Sequence, residues 1–408
     1  MYKKMTKEVY LDSGASTQVD PRVVEVMLPY FNEKYGNASS MHTYGRDAKE
    51  ALNKARRQIA SLLGAKEKEI VFTSGGTESN NFCLKSVAFT NREKNHIITS
   101  NVEHKCVMNT CKWLETQGFK VTYLEADNEG LIKAETLRNA ITDKTLIFSV
   151  IHGNNEIGTI QNLEELGKIC KEKGVLFHTD ACQSFTKTDI DVDKQNLDFV
   201  TLNSHKIHGP KGVGALYIRE GSPIETWQHG GGHEFGLRSG TEDIPGIVGF
   251  AEAAKLATNT AHVEKMTKMR DKLIESAMAL GDVKLNGTKG TARLCNNINL
   301  SFQMIEGEAL GGYLDQKGIA TSTGSACSAK TLAPSYVLKA IGLTDEEANG
   351  SLRLTLSRFT TEEDIDYVLE HLPKIVKKLR GFSPLKKVTD YVMKKASAVS
   401  PQQSGPDG

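Results

Sequence analysis

Short apolar runs alternate with amphipathic helical stretches through roughly the first 250 residues, and this alternation constrains the fold more than any other feature of the sequence. Each run is short enough to be a strand, and residues 77–89 read as a helix that follows one of them. Strands that are apolar on both faces are typical of parallel sheets covered by helices. The runs that read as strands are residues 69–72, 96–99, 145–151, 175–178 and 199–202. We therefore predict an α/β fold with a largely parallel sheet.

The pattern changes after about Thr258. A long helical stretch comes first, and residues 297–302 and 351–356 then read as strands, so we predict a smaller α+β domain at the C-terminal end. The last residues are rich in Lys and then in Ser, Pro, Gln and Gly, a composition typical of disorder. The predicted organisation is a large domain at 14–257, a small domain built from 1–13 and 258–385 with a mobile loop at about 322–334, and a basic tail at 386–408.

The charges of the chain nearly cancel, with 51 Lys and Arg against 50 Asp and Glu. Bulk electrostatic attraction to nucleic acid or to acidic lipid is therefore not expected. The basic tail could dock an acidic partner, although a solvated helix face is the more common role of such a run. No apolar run approaches the ~20 residues that span a bilayer, and the basic start of the chain is not followed by a secretory apolar core. These features predict a cytoplasmic protein that binds neither nucleic acid nor membrane.

Seven cysteines are present, and their odd number and irregular spacing form neither a disulfide framework nor a zinc knuckle. Cys106 and Cys111 have no second pair of cysteines or histidines to complete a metal site. We therefore predict reduced thiols, no bound metal, and a core position for most of the seven, which are Cys83, Cys106, Cys111, Cys170, Cys182, Cys295 and Cys327.

Polar and reactive side chains follow five consecutive predicted strands of the N-terminal part. In an open α/β sheet, ligands bind in the crevice outside the carboxyl ends of the strands. Five strand ends that all deliver such side chains to one edge therefore predict a functional site there. The segments are residues 73–80, 102–105, 152–156, 178–183 and 203–206.

Three features of this edge complement one another chemically. The turn at Gly75 and Gly76 opens a helix, whose free N–H groups can bind phosphate, although the spacing matches neither a Walker loop nor GxGxxG and a plain strand-to-helix turn looks similar. Asp180 ends an apolar strand, where it is either a helix N-cap or the partner of a cation such as a protonated pyridine nitrogen. Lys206 alone would be read as a surface lysine, but a buried lysine can form a Schiff base. Together they are the three parts that a pyridoxal phosphate (PLP) site requires.

The sequence resembles the NifS/IscS group of cysteine desulfurases, which are class-V aminotransferase-like enzymes of PLP fold type I. The match runs from about Val9 to Leu385 and includes ten or so ordered blocks, which makes it specific. The blocks that carry it are residues 9–12, 36–40, 73–80, 103–105, 154–158, 180–183, 204–212, 229–234, 238–241, 324–327 and 358–361.

The resemblance implies a role for individual residues of this chain. Lys206 would carry PLP, Asp180 would pair with its pyridine nitrogen, and His104 would stack on its ring. Arg353 would clamp the substrate carboxylate, a task suited to a planar guanidinium. The remaining implied contacts are Gln183 to the ring hydroxyl, Asn155 to that oxygen and the substrate carboxylate, and Gly76, Thr77, Asn203 and His205 to the phosphate, joined by Thr241 from a second subunit.

The resemblance also implies the reaction and its partners. The enzyme would convert L-cysteine to L-alanine and hold the sulfur as a persulfide on Cys327. A homodimer would pass that sulfur to an acceptor protein, either an iron–sulfur scaffold or a thiolation enzyme. Small residues surround Cys327, so the loop has little to pack and could bring its thiol to the substrate.

Two other functions compete with this interpretation. One is a different PLP activity on the same fold, such as an aminotransferase or a selenocysteine lyase, because fold alone does not fix function. The presence of Cys327 in a small, polar setting favours desulfuration. The other is a non-catalytic binding protein, against which the joint presence of Lys206, Asp180 and Cys327 argues.

Overall fold

The computed structural model describes residues 7–90, 93–323 and 333–382. Their strands are β1 (Val9–Tyr10), β2 (Ile70–Thr73), β3 (His96–Ser100), β4 (Lys120–Leu124), β5 (Thr145–Ile151), β6 (Leu176–Asp180), β7 (Phe199–Asn203), β8 (Gly214–Ile218), β9 (Val283–Leu285), β10 (Asn297–Phe302), β11 (Ile319–Ala320) and β12 (Ser351–Thr355). The α-helices are α1 (Pro21–Met27), α2 (Pro29–Asn32), α3 (Thr43–Ser61), α4 (Gly76–Thr90), α5 (Lys105–Thr116), α6 (Ala134–Ala140), α7 (Leu163–Lys173), α8 (Ile244–Ala257), α9 (Thr260–Met278), α10 (Gly307–Asp315), α11 (Tyr336–Ala340), α12 (Asp345–Asn349) and α13 (Glu362–Phe382).

A seven-stranded sheet forms the centre of the larger part, in the order β2-β8-β7-β6-β5-β3-β4. Neighbouring strands from β7 to β4 are parallel, and β8 alone runs against both of its neighbours. The carboxyl ends of β2, β3, β5, β6 and β7 therefore lie at one edge. The predicted α/β fold with a largely parallel sheet is confirmed. Strands β4 and β8 are additions to the predicted set.

The central strands are buried along their whole length because helices cover both faces of the sheet. Every residue of β3, β5 and β7 is buried, as the near-continuous apolar runs predicted. The few polar groups inside the sheet bond to one another: the His178 ring lies 2.8 Å from Ser149 Oγ and 3.0 Å from Thr201 Oγ1. These contacts satisfy polar atoms that would otherwise be costly to bury.

Helix α7 illustrates how local sequence sets the ends of an element that leads into the site. Asn162 caps it by accepting a hydrogen bond from the Glu165 backbone N–H. Gly174 ends it in the left-handed region with a φ of 64°, which glycine adopts without strain. The chain then turns directly into β6, whose last residue is Asp180.

The C-terminal elements form a second layer with its own core. Strands β12, β10 and β9 make an antiparallel sheet in that order, α9 and α10 pack on it, and α13 packs against both of these helices. The N-terminal strand β1 joins this part by pairing in parallel with β11, and Leu11 shares the apolar cluster of Leu300 and Leu354. The boundaries at residues 13 and 257 stay predictions.

Across the described ranges, no helix is both long enough and apolar enough to cross a membrane. The predicted basic tail and most of the predicted loop at 322–334 lie outside those ranges.

Candidate active site

A cavity of about 290 Å³ lies at the carboxyl edge of the large sheet. Its walls come from the segments after β2, β3, β5, β6 and β7, as the positions of the polar strand ends predicted. Ten predicted site residues line it: Gly76, Thr77, His104, Asn155, Asp180, Gln183, Asn203, His205, Lys206 and Arg353. The C-terminal part contributes through Arg353, so the cavity lies where the two parts meet.

The turn after β2 forms one end of the cavity. Gly75 has a φ of 144°, a conformation that other residues rarely adopt, and α4 begins at the next residue, Gly76. A Cβ atom at Gly76 would overlap the Cys182 sulfur, so any other residue there would have to displace it. The first N–H groups of a helix lack intrahelical acceptors. Beside them lies the Asn203 side chain, whose amide nitrogen can donate a hydrogen bond. This end of the cavity fits a phosphate.

Asp180 lies at the end of β6 and is only 3% exposed. Its carboxylate accepts hydrogen bonds from Asn80 Nδ2 at 2.7 Å and from the Cys182 backbone N–H at 3.0 Å. Both donors are neutral, and no Lys or Arg of the described chain forms an ion pair with it. A buried carboxylate that lines a cavity without a cationic partner fits a protonated pyridine nitrogen. The alternative role as a helix N-cap is wrong, since no helix follows β6 directly.

Lys206 follows β7 and lines the cavity. Its Nζ donates to the carbonyl oxygens of Gly14 at 2.5 Å and Ala15 at 2.6 Å. Burial, with a smaller contribution from the positive charge of Arg353, lowers the pKa of Lys206 to about 8. A sizeable fraction of the amine is therefore neutral near pH 7 to 8. Only a neutral amine can attack an aldehyde, so Lys206 has the protonation state that a Schiff-base lysine needs.

Two histidines of the cavity are held in the neutral state. His104 is the N-cap of α5, and burial lowers its pKa although Asp180 opposes the shift. Burial and the charge of Lys206 lower the pKa of His205 to about 4. The His205 ring lies 3.3 Å from Ser16 Oγ. Neutral imidazoles suit stacking and hydrogen bonding without adding positive charge beside Lys206.

Arg353, in β12, enters the cavity from the C-terminal part. Its guanidinium donates to the Asn155 carbonyl at 3.0 Å and forms an ion pair with Asp12 at 3.1 Å. The buried Arg353 Nε and Asn155 Oδ1 have no hydrogen-bond partner in the part of the chain that is described. Gln183 faces the same space and donates to the Gly14 carbonyl at 2.9 Å. Arg353, Asn155 and Gln183 thus supply polar side chains to one wall of the cavity.

Two predicted site residues are not brought to the cavity. Thr241 is exposed on this chain and does not line the cavity. Cys327 lies outside the described residues. The roles predicted for both stay predictions.

Several cavity residues were not predicted as site residues. Most of the six described cysteines are buried as predicted, but Cys106 and Cys182 line the cavity instead. Asn80 and Tyr336 also line it. Cys106 and Cys182 each come two residues after a predicted site residue near a strand end, His104 and Asp180, and that position was a signal for them. No nearby strand end or motif in the sequence indicates Tyr336, because the tertiary structure alone brings it to the cavity.

Two buried glutamates connect the cavity to the elements behind it. Burial raises the pKa of Glu103 to about 8 and that of Glu156 to about 7. Glu156 accepts a hydrogen bond from Ser335 Oγ at 2.5 Å, and Ser335 caps α11. Tyr336, the first residue of α11, donates through its hydroxyl to the Glu103 carbonyl. The helix that follows residues 324–332 is thus anchored to the cavity wall.

Comparison with known proteins relates this geometry to a family. The model of the family described as aminotransferase class-V matches residues 9–368. The chain belongs to this family. A cysteine desulfurase IscS of Methanosarcina thermophila is 51% identical over 384 residues, which cover 93% of this chain and 94% of that protein. A cysteine desulfurase IscS of Clostridium botulinum (strain Kyoto / Type A2) is 50% identical over 386 residues, covering 93% and 97%.

Solved structures agree with these relatives. A NifS-like protein superposes with a TM-score of 0.85 at 40% identity, covering 91% of this chain and all of that one. A structure described as SspA in complex with cysteine has a TM-score of 0.78 at 39% identity, covering 86% and 100%. The predicted resemblance to the NifS/IscS group, the fold class and the cofactor PLP are confirmed.

Proposed function

We propose that this protein is a cysteine desulfurase, which converts L-cysteine to L-alanine and holds the removed sulfur as a persulfide on Cys327. The observation that carries the proposal is the cavity itself, where the Lys206 amine, the Asp180 carboxylate and the Arg353 guanidinium line one space. An amine with a pKa near 8, an acceptor for a pyridinium and a clamp for a carboxylate are what an amino-acid-processing PLP enzyme needs.

Four side chains would hold the cofactor ring. Lys206 would bind it covalently, Asp180 would accept from the pyridine N–H, and His104 would lie against the ring face. Gln183 is placed to donate to the ring hydroxyl with the amide that now bonds to the Gly14 carbonyl. When bound there, PLP supplies an electron sink for the charge left when an amino acid loses its α-proton.

The phosphate would bind at the other end, on the Gly76 and Thr77 backbone at the start of α4. Asn203 and His205 border this end. Both side chains are neutral, so they can contact the phosphate without adding charge. Thr241 of a second subunit would complete the set. The helix N-terminus favours an anion through its exposed N–H groups and its dipole.

The substrate carboxylate would bind to Arg353, helped by Asn155. The ion pair with Asp12 holds the guanidinium in place at the cavity wall. When it is not bound to the cofactor, the neutral Lys206 amine could take the α-proton of the substrate, because burial lowers the pKa of Lys206 to about 8.

Sulfur transfer would be carried out by the Cys327 thiolate. Its sulfur attacks the substrate sulfur, the new S–S bond forms as the C–S bond breaks, and the electron pair of the broken bond stays with the carbon fragment. Protonation of that fragment yields alanine, so one cysteine and one enzyme thiol give one alanine and one persulfide. The reaction requires a thiolate, the nucleophilic form of the group.

A homodimer is part of the proposal because Thr241 is exposed here and would reach a cavity only in another subunit. Apolar side chains that suit such an interface lie exposed near the N-terminus: Leu28 is 57%, Phe31 63%, Tyr35 66% and Met41 89% exposed. Exposed apolar patches of this kind mark protein–protein contacts. A PLP-loaded monomer in solution would contradict the dimer.

The persulfide would pass to an acceptor protein, either an iron–sulfur scaffold or a thiolation enzyme. The cytoplasm suits this chemistry because its thiols are kept reduced. Both the acceptor and the location stay predictions.

The Cys327→Ser variant tests the proposed function. We expect it to lose sulfide release from L-cysteine and to keep the absorption band of bound PLP, since serine cannot accept sulfur. Mass spectrometry of the wild-type Cys327 peptide after brief exposure to L-cysteine should show the mass of one added sulfur. Cys111→Ser is the matched control, because Cys111 is fully buried in an apolar cluster. Full turnover by Cys327→Ser would refute the proposal.

A further inference from the structure

We infer that Cys106 and Asn80 form a hydrogen-bonded link between Asp180 and His104, and that this link fixes His104 with Nδ1 unprotonated and its proton on Nε2. Cys106 is thereby a positioning residue for the histidine that the proposed function places on the cofactor ring. The importance of the link for sulfur transfer rests on that proposed function, whereas the link itself follows from contacts within the chain.

The amide of Asn80 fixes the first half of the link. Its Nδ2 lies 2.7 Å from Asp180 Oδ2 and 3.1 Å from Cys106 Sγ. A carboxylate can only accept, so the amide must point its NH₂ group at Asp180, and the orientation is not ambiguous. The NH₂ group has two hydrogens, and the two contacts use one each.

The second half follows from the atoms around His104 Nδ1. This nitrogen accepts from the Cys106 backbone N–H at 3.2 Å, a donor whose direction is fixed. The Cys106 sulfur lies 2.9 Å from the same nitrogen. Because Nδ1 already accepts from that backbone N–H, the hydrogen between Nδ1 and the sulfur belongs to the thiol, whose sulfur in turn accepts from Asn80 and contacts the Thr77 side chain. Nδ1 therefore faces two donors and cannot carry a proton, so in the neutral ring the proton is on Nε2.

The charge states of the two groups agree with these directions. Burial raises the pKa of Cys106 to about 12, with Asp180 and Glu103 adding to the shift, so the thiol keeps its hydrogen. Burial lowers the pKa of His104, and the positive charges of Lys206 and Lys105 act in the same direction. Asp180 opposes them without reversing the shift.

The link has two consequences for the cavity. His104 presents a donor, not an acceptor, on the ring edge away from Cys106. One hydrogen-bonded unit also holds both the Asp180 carboxylate, assigned to the pyridine nitrogen, and the His104 imidazole, assigned to the ring face. A shift of either group therefore disturbs the other. Cys106, although it lines the cavity, is kept as a neutral donor and does not act as a second sulfur acceptor.

The test is nitrogen NMR of the protein with ¹⁵N-labelled histidine, with and without PLP, using a His104→Gln variant to assign the signals. The wild type should show His104 with a protonated Nε2 and an unprotonated Nδ1. This signature does not require sulfur transfer, so it separates failure of the link from failure of the proposed function. A wild-type ring protonated on Nδ1 would overturn the inference.

Substitution of the thiol gives a second readout. In Cys106→Ala the S–H···Nδ1 bond is lost, and since that bond stabilises the neutral ring, the pKa of His104 should rise by about half to one pH unit. Cys106→Ser keeps a hydroxyl donor and should return the titration toward the wild-type midpoint. Cys111→Ala, on the same helix but in the apolar cluster, should leave it unchanged. An unchanged midpoint in Cys106→Ala would refute the role of the thiol, and the wild-type spectrum decides if that variant does not fold.

Discussion

Lys206 and Lys187 are both lysines with partly buried side chains, and desolvation lowers the pKa of each to about 8. Lys206 lines the cavity at the sheet edge, whereas both lysines line a second, smaller cavity behind it. Lys187 Nζ donates to the carbonyls of Gln183 at 2.9 Å and Lys206 at 3.4 Å. By amine chemistry alone the two are equal candidates for binding an aldehyde.

Their surroundings separate them. Of these two lysines, Lys206 alone reaches the larger cavity. That cavity contains Asp180 and the glycine turn at Gly76, so an acceptor for a pyridinium and a phosphate-binding turn face the same space as the Lys206 amine. In the described part of the chain, the residues that line the second cavity include Arg358 but no carboxylate. A lowered pKa is thus a consequence of burial in both places, and only the convergence of complementary groups makes one of them a cofactor site.

The largest effect is expected on PLP attachment and activity, in which Lys206→Ala and Lys187→Met should differ. The first should lose covalent PLP and reduce activity by roughly 10³-fold or more, because it removes both the attachment point and the base. The second should keep covalent PLP. Borohydride reduction followed by peptide mass spectrometry locates the adduct. An adduct on Lys187 in the wild type would contradict the assignment of PLP to Lys206.

A smaller effect, on the KM for L-cysteine, is expected to separate two of the buried arginines, Arg353 and Arg358. Arg353→Lys should raise the KM for L-cysteine about 10- to 100-fold with a lesser effect on kcat, since hydrogen bonds between charged groups contribute about 1.5–3 kcal/mol. Arg358 forms an ion pair with Asp20 at 2.7 Å, and both side chains are buried. Arg358→Lys should therefore lower the melting temperature and leave KM at the wild-type value. Steady-state kinetics and thermal melts of both variants check this, and a raised KM in Arg358→Lys alone would reverse the assignment.

The smallest effect expected is on the pH dependence of PLP attachment. Because only the neutral amine reacts and the pKa of Lys206 is lowered to about 8, the neutral fraction should rise from about 10% at pH 7 to about 90% at pH 9. The attachment rate, followed by absorbance after mixing the PLP-free protein with PLP, should rise over that range and level off above it. A lysine of ordinary pKa would give a rate that still climbs at pH 9. Lys187→Met should have the wild-type profile, which assigns the titration to Lys206.

Much of the site could be predicted from the sequence because its residues follow strands that the apolar pattern reveals. The strands at 145–151 and 297–302 have the predicted bounds, and α4 begins one residue before its predicted start. Asp180 and Lys206 end or follow such strands, so the parallel sheet brings them to one edge. The link from Asn80 to Cys106 could not be predicted, since it depends on hydrogen bonds between residues 26 positions apart whose side-chain directions no pattern gives.

The sequence by itself determined the parallel sheet, the edge where the reactive groups gather and the family to which the chain belongs. Those properties follow from the period of apolar residues and from the order of short motifs, both of which are local. Only the tertiary structure decided that Lys187, with the same pKa near 8 as Lys206, does not reach the larger cavity, that Arg353 reaches the site from the C-terminal part, and that Cys106 belongs to the site and not to the core. The physical reason is that desolvation and hydrogen-bond direction depend on atoms brought together from distant parts of the chain.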